Sequence, residues 1–161
     1  MSNEAQLKTI VNGIEYNLMV PTRLLVSDFL RDTLNLTGTH VGCEHGICGS
    51  CTIKIDGLTA RSCLKFAIQL DGKKVETVEN FQEKRKTKYI LEKFKKNHSL
   101  QCGFCTPGFL MIIDELLKSK SKIKYSENEI REALSGNLCR CTGYENIIKA
   151  AKEILAHKGI K

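Results

Sequence analysis

Eight cysteines are the residues in this chain best suited to chemistry, and their spacing divides them into two sets of four. Cys43, Cys48 and Cys51 form a C-x4-C-x2-C run, and Cys63 follows after 11 further residues. That is the spacing of a plant-type [2Fe–2S] site. Cys102 and Cys105 form a C-x2-C pair, and Cys139 and Cys141 a C-x-C pair. Two clusters in one short chain imply electrons passing from one to the other.

Two other uses of these thiols stay open on spacing alone. Disulfides are disfavoured, because no export signal is evident: the N-terminus lacks a basic segment followed by an apolar one, and there is no twin-Arg pair. The chain is therefore expected in the cytoplasm, where multiple cysteines point to metal. Zinc is a weak rival for the first set and a stronger one for the second, since two short cysteine pairs are a common zinc pattern. Four thiols complete each site, so His40, His45, His98 and His157 are expected to be ordinary surface or loop residues.

The local residue types suit a cluster. Gly42, Gly46 and Gly49 surround the first ligands and let the backbone take positive φ or approach sulfur closely, and Ser50 is small for the same reason. Backbone N–H groups can then donate to sulfur and help set the potential. In the second set the thiols sit at the starts of helices, where the dipole favours thiolate, and Arg140 between two ligands can offset negative charge.

The elements that must position these residues differ between the two halves. Lys8–Val11 and Ile14–Val20 flank Asn12-Gly13, and Cys51–Ile55 and Leu58–Ser62 flank Asp56-Gly57; both dipeptides signal type I′ hairpins. Asp71-Gly72 precedes a last strand over Lys73–Val78. Leu25, Phe29, Leu30 and Leu34 fall at helical spacing, giving one helix that ends near Gly38. After about Glu79–Lys88 the period changes to 3.6. Apolar stripes through Ile90–Phe94, Phe109–Leu117, Ile130–Leu134 and Ile147–Leu155 predict four helices. Thr106 is a candidate cap with Pro107 after it, and Ser126-x-x-Glu129 and Thr142-x-x-Glu145 have capping-box form. The halves read as residues 1–80, one helix packed across a small mixed sheet with the first four cysteines, and residues 81–161, a bundle of four helices with the second four. The second resembles two copies of a helix–cysteine loop–helix unit, which would gather four thiols at one end of a bundle. The class is α+β.

Composition excludes other functions. The formal charge of +7 counts cysteine as neutral; two clusters with their thiolates would reduce it to roughly +3. The chain has no Trp and no aromatic–basic stripe for stacking bases, so no nucleic-acid partner is expected. The runs Lys84-Arg85-Lys86-x-Lys88 and Lys118–Lys124 read as solvated linker or docking surface. No apolar run approaches the ~20 residues of a membrane span; the longest is Phe109–Ile113.

The loop Gly42-Cys43-Glu44-His45-Gly46-Ile47-Cys48-Gly49-Ser50-Cys51-Thr52 resembles the first-cluster loop of the molybdenum hydroxylases, the family of xanthine oxidase, aldehyde oxidoreductase and carbon monoxide dehydrogenase. Gln101-Cys102-Gly103-Phe104-Cys105-Thr106-Pro107-Gly108 and Asn137-Leu138-Cys139-Arg140-Cys141-Thr142-Gly143-Tyr144 resemble its second-cluster motifs. The length is similar to that of the separate small subunit of three-subunit members. The resemblance implies a β-grasp ferredoxin-like domain followed by a four-helix bundle. It implies a large subunit holding a molybdopterin cofactor and a medium subunit holding FAD, with this chain carrying electrons between them. It places the bundle cluster nearest the pterin, with Gln101 and Cys141 as cofactor contacts. The chain alone would not turn over substrate, because it has no G-x-G-x-x-G fingerprint and no room for a flavin or molybdopterin domain. The expected substrate is an aldehyde, with glyceraldehyde in view because the short Lys-rich chain resembles archaeal small subunits. Carbon monoxide, N-heterocycles and a free two-cluster ferredoxin are the alternatives.

Overall fold

The computed structural model describes residues 3–81, 85–120 and 124–156. His157, Lys84 and residues 121–123 of the basic runs lie outside them. The first half is a five-stranded mixed sheet built from β1 (Glu4–Val11), β2 (Ile14–Pro21), β3 (Thr52–Ile55), β4 (Leu58–Arg61) and β5 (Lys74–Glu76). The strand order is β2-β1-β5-β3-β4, with β5 parallel to β1 and antiparallel to β3. This is a β-grasp sheet.

Both hairpins turn where the dipeptides require. Asn12 and Gly13 have φ of 53° and 87°, and Asp56 and Gly57 have 50° and 87°, so both central residues are left-handed as type I′ demands. The helix packed on the sheet is shorter than its periodicity implies. α1 covers Val26–Asp28 and runs on as a π-turn over Phe29–Thr33. The Leu34 N–H reaches back to the Phe29 carbonyl at 3.0 Å, and Asn35 at φ 57° ends the helix well before Gly38. Leu7, Val26, Phe29, Leu30, Ile53 and Leu70 form the core beneath it.

The second half holds α2 (Arg85–Lys96), α3 (Thr106–Lys118), α4 (Glu127–Leu134) and α5 (Glu145–Ala156). Phe94, Phe109, Met111, Ile113, Ile130 and Ile154 are fully or almost fully buried at their centre. Ser126 and Glu129 form the expected capping box on α4. The other two expected caps differ. Cys105, not Thr106, is the N-cap of α3, and it makes no side-chain cap bond. The Thr142 hydroxyl turns to a cysteine sulfur instead. Among the described residues no helix is long and apolar enough to cross a membrane.

α3 lies against β3 and β4. The Thr59 N–H donates to Glu115 Oε2 at 2.8 Å, and Arg61 donates to the Gly136 carbonyl at 2.7 Å. The cysteine loops of the two halves meet at one end of this seam.

Candidate metal centres

The first site is a loop with its neighbouring hairpin. Gly46 and Gly49 take φ of 85° and 74° to wrap it. Gly42 is there for closeness: a Cβ would sit 3.2 Å from Cys48 Sγ and 3.3 Å from the Phe104 ring. The turn aims backbone N–H groups at sulfur, with Cys48 N 3.4 Å from Cys43 Sγ. The N–H groups of Cys48 and then His45 hold the Cys43 thiol down to about 6, well below its ordinary value. Cys51 ends the loop at the head of β3, and Cys63 follows β4 back to it. The Ser62 hydroxyl donates to the Cys51 carbonyl at 2.9 Å. Burial, followed by the adjoining Cys51 thiol, pushes Cys63 up to about 11.

The second site is formed by the loops preceding α3 and α5. Cys141 Sγ and Cys102 Sγ are 3.6 Å apart at the surface. Cys105 and Cys139 face each other beneath, both buried. Burial first, then the Cys139 thiol, pushes Cys105 up to about 12. Burial works to raise Cys139 as well, but the Thr142 hydroxyl and neighbouring backbone donors outweigh it and lower the thiol. That hydroxyl is 3.1 Å from Cys139 Sγ, and Tyr144 accepts from the Cys139 N–H at 2.9 Å.

The thiols thus meet two by two: Cys43 with Cys48, Cys51 with Cys63, Cys102 with Cys141, and Cys105 with Cys139. All eight are free of disulfides. Among the described residues no group of three or more His, Cys, Asp or Glu is set to hold a single metal ion. Two thiolates per metal in paired sets is the donor arrangement that a two-iron cluster takes. Buried polar atoms without a protein partner flank the second site, namely the Thr106 hydroxyl beside Cys105 and both amide atoms of Asn137 two residues before Cys139.

The two sites adjoin. The Leu138 N–H, next to Cys139, donates to the Cys48 carbonyl at 2.9 Å. Asn137 is wedged against Gly49 and Gly108, where added Cβ atoms would fall 2.2 Å and 2.3 Å from its amide. His40 is more than a loop residue. Its ring stacks on Phe104 at 4.7 Å and its Nδ1 lies 2.8 Å from the Phe104 carbonyl, bridging the halves. His45 Nδ1 contacts the Cys43 carbonyl, and His98 is exposed at φ 49°. Gln101, Cys102, Arg140 and Cys141 are all exposed, so the second site opens outward, rimmed by exposed Leu100, Phe104 and Leu138. The roles of Asn137 and the Thr142 hydroxyl were not legible in the motifs, where each reads as spacing or as a cap.

Residues 27–97 match the family described as a 2Fe-2S iron-sulfur cluster binding domain, and residues 77–152 the one described as a [2Fe-2S] binding domain. Fold and sites therefore define an iron–sulfur electron-transfer protein with two [2Fe–2S] clusters. The chain is 53% identical over 145 residues to caffeine dehydrogenase subunit gamma of Pseudomonas sp. (strain CBB1), covering 89% of this chain and 87% of that one. It is 44% identical to the nicotine 6-hydroxylase small subunit of Paenarthrobacter nicotinovorans, over 99% of this chain and 95% of that one. The crystal structure of quinoline 2-oxidoreductase from Pseudomonas putida 86 superposes with a TM-score of 0.90 at 42% identity, over 98% of this chain and 97% of that chain. This chain belongs to the iron–sulfur small subunits of the molybdenum hydroxylases, and its role is electron transfer within an oxidoreductase.

Proposed function

We propose that this chain carries electrons from a molybdenum–pterin site in a large subunit to FAD in a medium subunit of a cytoplasmic heterotrimer. The division of labour falls at residues 1–80 and 81–161. Cys43, Cys48, Cys51 and Cys63 hold the outer cluster; Cys102, Cys105, Cys139 and Cys141 hold the cluster facing the pterin, with Gln101 and Cys141 touching that cofactor. In this reading Cys43/Cys48, Cys51/Cys63, Cys102/Cys141 and Cys105/Cys139 would each hold one iron. Each bound cluster supplies a one-electron redox step. The protein's part is to donate N–H and O–H groups to the sulfurs and to exclude water from the buried thiols. It also keeps the two loops in contact. The observation that carries this assignment is the meeting of eight thiols in four pairs, with Leu138 bonded directly to Cys48.

The substrate class we favour is an N-heterocycle. Relatives named for caffeine and nicotine, and a superposing structure named for quinoline, support it over the aldehyde expected from composition. An aldehyde is the second reading, supported by 35% identity to the aldehyde oxidoreductase iron–sulfur-binding subunit PaoA of Escherichia coli (strain K12). Turnover assays on the purified complex with quinoline-type rings and with aldehydes separate the two.

Metal analysis with EPR of the dithionite-reduced complex tests the relay. About four irons per chain and two distinguishable [2Fe–2S] signals are expected; zinc in their place would overturn the assignment. Cys48→Ser tests the order. Substrate should still reduce molybdenum while flavin stays oxidised, and flavin reduction at the native rate would reverse the assumed sequence of clusters.

A further inference from the structure

A four-charge group lies in the seam between the sheet and α3, away from the cysteines. Lys54 of β3 is 0% exposed and pairs with Asp114 of α3, itself 3% exposed. Lys54 Nζ is also 3.2 Å from Glu76 of β5, the residue opposite it in the sheet. Lys118, one turn after Asp114, reaches Asp114 at 2.7 Å and Glu76 at 3.5 Å. Two cations and two anions interlock, one pair from the sheet and one from the helix. Stability alone does not account for it, because a buried ion pair loses in desolvation much of what it gains and well-packed apolar residues serve as well. Charges supply what an apolar contact does not: one preferred relative placement of the groups that carry them.

Two of the three elements in this group, β3 and α3, lead directly to cluster ligands. β3 begins one residue after Cys51, and Lys54 is three residues on, about 10 Å along the strand. α3 is capped by Cys105, and Asp114 is nine residues on, about 14 Å along the helix. A shift of α3 across the sheet at this point would swing Cys105 relative to Cys51. We propose that Lys54, Asp114, Glu76 and Lys118 are positioning residues that set the separation of the two clusters. The proposal rests on the cluster assignment above.

The test is the magnetic interaction between the two reduced clusters, which falls with the cube of their separation. The paired variant Lys54→Met/Asp114→Leu keeps the volume and removes both buried charges. Lys118→Met acts only on the half-exposed end of the group and spares folding. Spectra are taken on the purified complex, with iron content and melting temperature measured alongside. Both variants should keep the native iron content and melting temperature, while the splitting of the EPR signals is lost into broadening in the paired variant and partly so in Lys118→Met. Native splitting in both variants would overturn the proposal. So would loss of iron from both before spectra can be read, since the group would then serve folding rather than spacing. Native complex without two [2Fe–2S] signals would instead sink the cluster assignment itself.

Discussion

At the scale of single residues, the site depends on groups that touch sulfur and on glycines that admit a neighbour. Thr142 donates to Cys139 Sγ at 3.1 Å. Such a bond strengthens as negative charge builds on the sulfur, so it favours the reduced cluster. Thr142→Val should therefore lower the potential of the bundle cluster by roughly 40 mV, the one-electron equivalent of about 1 kcal/mol, as read by redox-poised EPR. Gly108 is required for a different reason. A Cβ there would lie 2.3 Å from the Gly49 carbonyl and 2.3 Å from Asn137 Nδ2, and a backbone atom cannot swing aside. Gly108→Ala should cost roughly 1–3 kcal/mol of stability and lower the iron content, measured by thermal unfolding and metal analysis. The eight thiols were legible from spacing, because ligand spacing is a property of the chain. The hydroxyl on sulfur was not, since Thr142-x-x-Glu145 equally well fits a helix cap.

At the scale of elements, α4 and α5 are tied by their charges as well as their apolar faces. Glu127 of α4 bonds Lys152 of α5 and Arg131, and Arg131 also reaches Glu145 at 3.0 Å. The Lys152 ammonium first, then Arg131, holds the Glu127 carboxyl below its ordinary value of 4.5. Its contribution is therefore present above that value and lost as pH falls through the lowered folded one. Glu127→Gln should melt below the native protein at neutral pH, and the gap should close as the medium is acidified through the carboxylate range. Ser126→Ala removes the α4 cap and should cost about 1 kcal/mol, seen as a lower melting temperature with no change in the EPR signals. Helices, hairpins and this cap were readable because each depends on residues a few positions apart. The end of α1 was misplaced because apolar spacing does not reveal the π-turn or the left-handed Asn35 that stops it.

At the scale of the whole molecule, the cysteine loops of the two halves meet where Leu138 bonds Cys48. The exposed rim of Leu100, Phe104 and Leu138 around the second site is the face a large subunit would cover. Leu138→Asp should leave both clusters intact by EPR yet fail to co-purify with the molybdenum subunit; full recovery of the complex would move that interface elsewhere. The sequence by itself determined the division of the eight cysteines into two sets and the switch from sheet to helices, because those follow from short-range spacing and periodicity. Only the tertiary structure decided which thiol pairs with which and that β5 lies between β1 and β3. It alone brought Leu138 to Cys48 and Asp114 to Lys54. Those contacts join residues far apart in the chain, and they form only where two buried cores are packed across one seam.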